Sequence, residues 1–208
     1  LFLAALVPAQ VGAVSRQAAG FSDSDLGGFL QQTFQNGLGV LLGVGDGRRA
    51  LDFLRTWPQG VMFLVDPYIH LRRGYDRPEN RNDADQQRWY ERLRNILHDM
   101  PEAQGRYSFV REFSFAVPEV WRKRQFGPDP VFVYMDANPS YAAVRLDLRE
   151  WWSLLRANGI LAGSNYTTDG DGSVVGVSMA VDEFANELGL PVFVTSDEEP
   201  TWILQKDG

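Results

Sequence analysis

Short apolar runs alternate with longer amphipathic segments along most of the chain. An unbroken apolar run is typical of a buried strand, whereas apolar residues at spacings of three and four are typical of one helix face. The apolar runs predict strands at residues 38–42, 61–65, 107–110, 131–135 and 160–162. The amphipathic segments predict helices at about residues 23–36 and at residues 48–57, 83–99, 115–124 and 142–157.

The last part of the chain departs from this regular alternation. Residues 174–177 form another short apolar run, and residues 182–188 have helical spacing. The runs at residues 192–194 and 202–204 suggest a closing antiparallel pair of strands. Because the earlier strands are apolar throughout, we expect a mostly parallel sheet with helices on both faces. The predicted architecture is therefore doubly wound α/β.

The length of 208 residues favours one domain with one core. We expect residues 37–208 to form that single domain and residues 1–36 to form an N-terminal helical segment packed on it. Residues 1–13 are apolar enough to be the end of a removed targeting segment, or else a helix packed on the domain. The compartment and the oligomeric state stay open.

Composition narrows the classes of function. The chain has 20 Lys and Arg against 27 Asp and Glu, which disfavours a nucleic-acid partner because binding phosphates requires a basic face. With no Cys and two His, disulfides, iron–sulfur clusters, thiol nucleophiles and His-rich metal sites are excluded. No apolar stretch approaches the roughly 18 residues that a membrane span requires. We expect a soluble globular protein.

Two strand ends carry residues that indicate a ligand site. In doubly wound sheets, ligands bind beyond the carboxyl ends of the strands, near the point where strand order reverses. Residues 43–47 (GVGDG) lie between a strand and a helix, where glycines allow close approach of the backbone to a ligand. Asp66 ends the next strand, where a carboxylate can accept hydrogen bonds from ribose hydroxyls. These features fit S-adenosylmethionine or a nicotinamide dinucleotide, with structural turns as the alternative.

A third strand end supplies the candidates for chemistry. Asp136 follows the strand at residues 131–135, and Ser164, Asn165 and Tyr166 follow the strand at residues 160–162. Together they would face the reactive end of a ligand that lies on the first two strands. For each of these polar residues taken singly, turn formation is an equally good explanation.

Five segments of the chain match one family pattern together: LGVGDGRRA at 42–50, FLVDPY at 63–68, VFVYMD at 131–136, SYAAVRLDLREWW at 140–152 and GILAGSNY at 159–166. They resemble the class I S-adenosylmethionine-dependent methyltransferases. More narrowly, they are similar to a branch that acts on small molecules and has a D-x-x-H-x-Y … D-L-x-x-W-W … A-G-H-D-Y pattern. The resemblance covers about residues 38–206. It implies a Rossmann-like, seven-stranded sheet with an antiparallel last strand, and S-adenosylmethionine as cofactor.

The resemblance also implies roles for the residues that match. The glycine loop would pass along the methionine moiety and the ribose, Asp66 would hold the ribose hydroxyls, and residues 112–114 would lie near the adenine. Asp136 would lie near the methyl donor. The implied cofactor-binding residues are Gly43, Val44, Gly45, Asp46, Gly47, Asp66, Ser114 and Asp136, and the implied catalytic residues are Asp136, Asn165 and Tyr166.

The chain departs from the family pattern at the positions that carry acids and bases. The acidic residue usual at the end of the first strand is Leu42, the family's loop histidine is Pro139, and its His-Asp pair is Ser164 and Asn165. Because the neutral oxygen of Asn is a weaker ligand for Mg²⁺ than a carboxylate, we expect no tightly bound catalytic metal.

Methyl transfer can still proceed at such a site, because positioning alone lowers the barrier by about 7–11 kcal/mol. The resemblance therefore implies methyl transfer to a small-molecule acceptor, and the departures from the pattern favour an acceptor that is already nucleophilic. A protein of the same fold that binds a nucleotide or a partner without catalysis is the alternative, and a nicotinamide-dependent oxidoreductase is a third hypothesis.

An arginine-rich loop follows the second strand. Arg72, Arg73, Arg77 and Arg81 would make it a lid that attracts an anionic acceptor, since guanidinium groups bind carboxylate and phosphate in a bidentate manner. A solvated loop is the alternative explanation. His70 lies in the same loop, as a candidate base or as a surface histidine.

Overall fold

The computed structural model describes residues 16–17, 20–75, 77–124, 126–167 and 175–208. Its strands are β1 (Arg16–Gln17), β2 (Gly37–Leu42), β3 (Gly60–Val65), β4 (Tyr107–Val110), β5 (Phe132–Met135), β6 (Ile160–Gly163), β7 (Phe193–Val194) and β8 (Trp202–Gln205). Its α-helices are α1 (Leu26–Phe34), α2 (Arg48–Thr56), α3 (Asp83–Asp99), α4 (Val117–Arg124), α5 (Tyr141–Leu154) and α6 (Val175–Leu188). Short 3₁₀ turns lie at Asp23–Asp25, Pro101–Ala103 and Ser114–Ala116.

Within the described residues, the strands form one eight-stranded sheet in the order β1-β7-β8-β6-β5-β2-β3-β4. All neighbours pair in parallel except β8, which is antiparallel to both β6 and β7. The predicted seven-stranded, doubly wound fold is confirmed as β2 to β8. The short strand β1 adds an eighth strand at the edge, where Arg16 pairs with Phe193.

The strand order places a switch point in the middle of the sheet. From β2 the chain proceeds outward through β3 to β4, and it then crosses back to β5 on the other side of β2. The connections that leave β2 and β5 therefore run to opposite sides, which opens a crevice at their carboxyl ends. The predicted candidate residues follow the strands that border this crevice.

Both faces of the sheet are covered, because successive residues of a strand point to opposite faces. Val40 and Leu42 of β2 pack into a core cluster on the side of α4, α5 and α6. Leu41, between them, packs into the second cluster on the side of α1, α2 and α3. Large aromatic side chains fill both clusters, and the indole rings of Trp121 and Trp151 meet edge to face in the first.

Helix α6 is the main correction to the predicted elements. It begins at Val175 and not at Asp182, so residues 175–177 belong to the helix rather than to a separate apolar run, and residue 174 lies outside the described part of the chain. Val177 and Val181 are buried because they share one face of the helix at a spacing of four. This packing overrides the preference of valine for strands.

The N-terminal part of the chain is described from Arg16 onward, apart from residues 18 and 19. Helix α1 packs beside α2, and its Leu26 and Leu30 are fully buried in the second cluster. The predictions for residues 1–13 lie outside the described residues. None of the described helices is long and apolar enough to cross a membrane.

Candidate functional site

The loop at residues 43–47 leaves β2 at the switch point of the sheet. Gly43, Gly45 and Gly47 have φ angles of +79°, +51° and +88°, in the left-handed region that glycine adopts without strain. A Cβ atom on Gly43 would lie 2.1 Å from the carbonyl oxygen of Asp136, and one on Gly47 would lie 2.5 Å from a leucine side chain of α3. A Cβ atom on Gly45 would meet nothing within 4 Å. The loop thus packs tightly on β5 and α3 and leaves open space at its centre.

Asp66, the first residue after β3, holds this loop. Its Oδ2 accepts hydrogen bonds from the N–H groups of Val44 at 2.8 Å and Gly45 at 3.0 Å. Its Oδ1 accepts a third from the N–H of Tyr68 at 2.7 Å. The amide groups at the centre of the loop therefore face a carboxylate of the protein itself. An anionic group brought to the same amides would be repelled by that carboxylate.

A cavity of about 900 Å³ opens between the loop, Asp66 and the ends of β4, β5 and β6. This volume is at the upper end of the range for sites that bind small ligands. Acidic side chains outnumber arginines along the described lining. The predicted cofactor-binding and catalytic residues that line the cavity are Gly43, Val44, Gly45, Asp46, Asp66, Ser114, Asp136 and Asn165. Gly47, which was also predicted to bind the cofactor, is buried and is not in the described lining, because it packs against α3.

Asp136 follows β5 and is linked to the residues after β6. Its Oδ1 accepts a hydrogen bond from the hydroxyl of Ser164, and that hydroxyl accepts one from Nδ2 of Asn165 at 2.8 Å. Burial raises the pKa of the Asp136 carboxyl more than the hydrogen bond from Ser164 lowers it. The structure therefore brings together two of the three predicted catalytic residues.

Tyr166, the third predicted catalytic residue, does not join this group. It is absent from the described cavity lining, its side chain is buried, and its hydroxyl donates to Oδ1 of Asp182 at 2.7 Å. The preceding residue, Asn165, has a φ of +61°. This left-handed turn directs the next side chain into the core against α6.

Asp147 of α5 is a cavity residue that the sequence reasoning missed. Its side chain is 3% exposed, and its Oδ2 accepts a hydrogen bond from the hydroxyl of Ser114 at 2.6 Å. Its Oδ1 has no hydrogen-bond partner among the described residues. Burial raises the pKa of the Asp147 carboxyl to about 7, although the bond from Ser114 opposes that change. Two signals were available: Asp147 is the acid of the D-L-x-x-W-W match, and it lies on the face of α5 that carries Val144 and Trp151.

The arginine-rich loop between β3 and α3 borders the cavity. Nδ2 of Asn138, two residues after Asp136, donates to the carbonyl oxygen of Gly74 at 2.9 Å and ties the loop to the end of β5. Arg77 and Arg81 are in the lining. The loop thus contributes positive charge to an otherwise acidic cavity.

The other polar residues of this loop that the sequence singled out lie elsewhere. Arg72 and Arg73 are exposed and are not among the described residues that line the cavity. His70 is exposed, and its Nδ1 lies 3.2 Å from the carbonyl oxygens of both Asn80 and Arg81. The structure therefore favours a surface histidine over a base in the site.

A second feature missed from the sequence is an ion pair on the cavity wall. Nη1 of Arg49, in the first turn of α2, donates to Oδ2 of Asp23, in the 3₁₀ turn before α1. Both residues line the cavity. No local pattern relates two residues this far apart in the chain, so the pair became visible only in the fold.

The described residues contain no group of three or more His, Cys, Asp and Glu side chains placed to hold a metal ion. Possible protein ligands at this edge of the sheet are therefore single carboxylates and amide oxygens.

Comparison with solved structures gives the class of the fold. The chain is similar to an O-methyltransferase family protein from Burkholderia thailandensis, with a TM-score of 0.58 and 15% identity over 89% of this chain and 55% of that one. It is similar to the O-methyltransferase TomG from Streptomyces achromogenes, involved in tomaymycin synthesis and solved with SAM, with a TM-score of 0.63 and 13% identity over 89% and 79% of the two chains. An O-methyltransferase from Bacillus cereus in complex with SAH gives a TM-score of 0.63 and 14% identity over 99% and 87%.

The chain spans about half the length of the Burkholderia protein. No protein-family model and no curated protein matches the sequence. At these identities the similarity establishes the fold. The chain has the Rossmann-like fold of the class I methyltransferases.

Proposed function

We propose that this protein transfers a methyl group from S-adenosylmethionine to a small-molecule acceptor. The observation that carries the proposal is the hydrogen bonding of Asp66 to the glycine loop. With Oδ2 bound to the N–H groups of Val44 and Gly45, the carboxylate stands beside the loop as an acceptor for a sugar diol. The similarity to methyltransferases solved with SAM and with SAH supports the same ligand.

The same geometry disfavours a nicotinamide dinucleotide. Dinucleotide-binding loops hold a pyrophosphate on free amide groups at a helix N-terminus. Here the amides of Val44 and Gly45 already donate to Asp66, and a pyrophosphate would meet that carboxylate. A cavity in which acids outnumber arginines instead suits a cationic sulfonium.

In the proposed complex, the ribose would lie on Asp66 and the adenine toward Ser114. The open side of Gly45 would admit the cofactor, and the sulfonium would lie near Asp136. The methyl group would pass in line to the acceptor: its bond to sulfur breaks, its bond to the acceptor forms, and S-adenosylhomocysteine leaves. The chain would contribute mainly by holding the two reactants in line, which accounts for about 7–11 kcal/mol, and no step requires a metal.

The acceptor would enter beneath the arginine-rich loop. Arg77 and Arg81 line the cavity there, and we propose that they bind an anionic group of the acceptor, for which the guanidinium group is suited. An acceptor that is already nucleophilic would need no strong base, which agrees with the apolar and neutral residues at the family's histidine and acid positions.

A non-catalytic binding module of the same fold is the second candidate. The observation that favours it is that Leu42 and Pro139, which are both buried, stand where the family has an acid and a histidine. Formation of S-adenosylhomocysteine that depends on an added acceptor separates the two functions.

The first experiment is thermal unfolding with S-adenosylmethionine, S-adenosylhomocysteine or NAD. A ligand at 100 times its Kd stabilises by about 2.7 kcal/mol, which corresponds to a Tm increase of about 5–10 °C for a domain of this size. We expect the increase with both S-adenosyl compounds and none with NAD. Asp66→Asn should lose it, whereas the control Asp129→Asn, at an exposed residue, should keep it. An increase with NAD alone would refute the proposal.

A further inference from the structure

The ion pair between Asp23 and Arg49 lies on the cavity wall close to the glycine loop. Arg49 is in the first turn of α2, which follows the loop directly, and Asp23 belongs to the 3₁₀ turn that precedes α1. The side chain of Asp23 is 19% exposed and that of Arg49 is 25% exposed. An ion pair that is held by protein on one side and open to a cavity on the other can still contact a ligand.

The pair is held firmly from several elements. Oδ1 of Asp23 accepts hydrogen bonds from the hydroxyl of Thr201 at 2.8 Å and from that of Tyr134 at 3.2 Å, and its N–H donates to Asp197 at 2.7 Å. The guanidinium of Arg49 lies over the ring of Tyr134, 4.8 Å from its centre. Charges fixed in this way need little rearrangement when a ligand binds, which favours affinity.

The pair also retains capacity for further hydrogen bonds. A guanidinium has five N–H donors, and the one hydrogen bond that the Arg49 guanidinium makes to the described residues is the bond to Asp23. The remaining donors suit a carboxylate, which a guanidinium binds in a bidentate manner. The carboxylate of Asp23 suits an ammonium group beside it.

An α-amino acid carries these two charges on one carbon. A zwitterion laid alongside an ion pair with its own dipole reversed brings each charge next to its opposite and adds no net charge to the site. Leu42, at the end of β2, is fully buried in the core and offers no acid to such a ligand. An acid that contacts such an ammonium group would come from another element, and Asp23 is an acid of another element that lines the cavity.

We propose that Asp23 and Arg49 bind the amino-acid end of the S-adenosyl ligand, Asp23 contacting its ammonium and Arg49 its carboxylate. This inference rests on the proposed function and adds to it the residues that bind the methionine part of the cofactor. The competing explanation is an ion pair that only docks the N-terminal turn on the domain.

The test compares two ligands that differ only in this part. S-adenosylhomocysteine carries the amino-acid chain, whereas 5′-methylthioadenosine has a methyl group in its place. We would measure the Kd of both by calorimetry for the unmodified chain, for Asp23→Asn and for Arg49→Gln. Arg55→Gln on the same helix and Glu198→Gln, both at exposed residues outside the described lining, are the matched controls.

We expect the Kd of the unmodified chain to be about 10- to 100-fold lower for S-adenosylhomocysteine than for 5′-methylthioadenosine. Hydrogen bonds to charged groups contribute a difference in affinity of about this size. Each site variant should lose most of that preference while its affinity for 5′-methylthioadenosine changes less than about twofold, and the controls should keep it. Binding of the smaller ligand also reports that a variant is folded.

Three results would overturn the inference. Equal affinity of the unmodified chain for both ligands would leave the proposed function standing and remove this one. Equal weakening of both ligands in the variants would mean that the pair only docks the N-terminal turn. Binding of neither ligand to the unmodified chain would refute the proposed function and the inference with it.

Discussion

Replacing Asp147 by Asn should flatten the dependence of stability on pH. Burial raises the pKa of this carboxyl from 3.8 to about 7, so between these values the folded chain binds more protons than the unfolded chain. The stabilisation is therefore fully present below about pH 4 and is lost as the pH rises through about 7. One pKa unit corresponds to about 1.4 kcal/mol, which gives an upper bound of about 4 kcal/mol for the whole range.

The linkage relation gives about 2.5 kcal/mol of this loss between pH 5 and pH 8. Urea unfolding at several pH values should show the loss in the unmodified chain and not in Asp147→Asn, which cannot ionise and still accepts the hydrogen bond from Ser114. Ser114→Ala should move the loss to higher pH, because the bond that favours the ionised form is gone. The control Asp99→Asn, at an exposed residue, should keep the original slope. Parallel curves for the unmodified chain and Asp147→Asn would refute the reasoning.

Two further predictions concern the glycine loop and the tyrosine beside it. Gly43→Ala should lower the free energy of unfolding by several kcal/mol, since its Cβ would collide with backbone 2.1 Å away, whereas Gly45→Ala should cost only the left-handed strain, about 1–2 kcal/mol. Equal losses in denaturant unfolding would contradict the loop geometry. Tyr166→Phe should lower the free energy of unfolding by about 1 kcal/mol, because the hydrogen bond to Asp182 is missing. The variant should keep its affinity for S-adenosylhomocysteine. A large loss of affinity with unchanged stability would mean that Tyr166 contacts the ligand after all.

The local pattern of apolar and polar residues was sufficient to predict the elements whose pattern matches their surroundings in the fold. The predicted helix at residues 83–99 and the predicted strand at 107–110 have the bounds of α3 and β4. The helical spacing matches the buried face of α3, and the short run at 107–110 is the segment that pairs with β3. Helix α6 was predicted too short because its first turn is rich in valine, and only packing against α5 decides its conformation. Strand β1 has two residues, too few to carry any period.

The candidate site was predictable where the topology alone brings residues together. Parallel strands present their carboxyl ends at one edge, so the glycine loop, Asp66 and Asp136 had to be neighbours once the fold was assigned. What the topology does not fix is the direction of a side chain after a turn. Asn165 and Tyr166 are adjacent in sequence, yet the first lines the cavity and the second packs on α6.

The residues that were missed share a physical reason, since the role of each depends on a partner distant in the chain. Asp147 is an acid on the buried face of a helix, and such a residue is tolerated only where a donor such as Ser114 and an adjoining cavity reduce the cost of burial. Asp23 becomes part of the site through Arg49 and Tyr134. The sequence shows that Leu42 stands where the family usually has an acid, but not that Asp23 lines the same cavity. On the proposed assignment, the charge that binds the ligand has moved to another element while the usual position belongs to the core, and comparing motifs position by position would count such a site as lost.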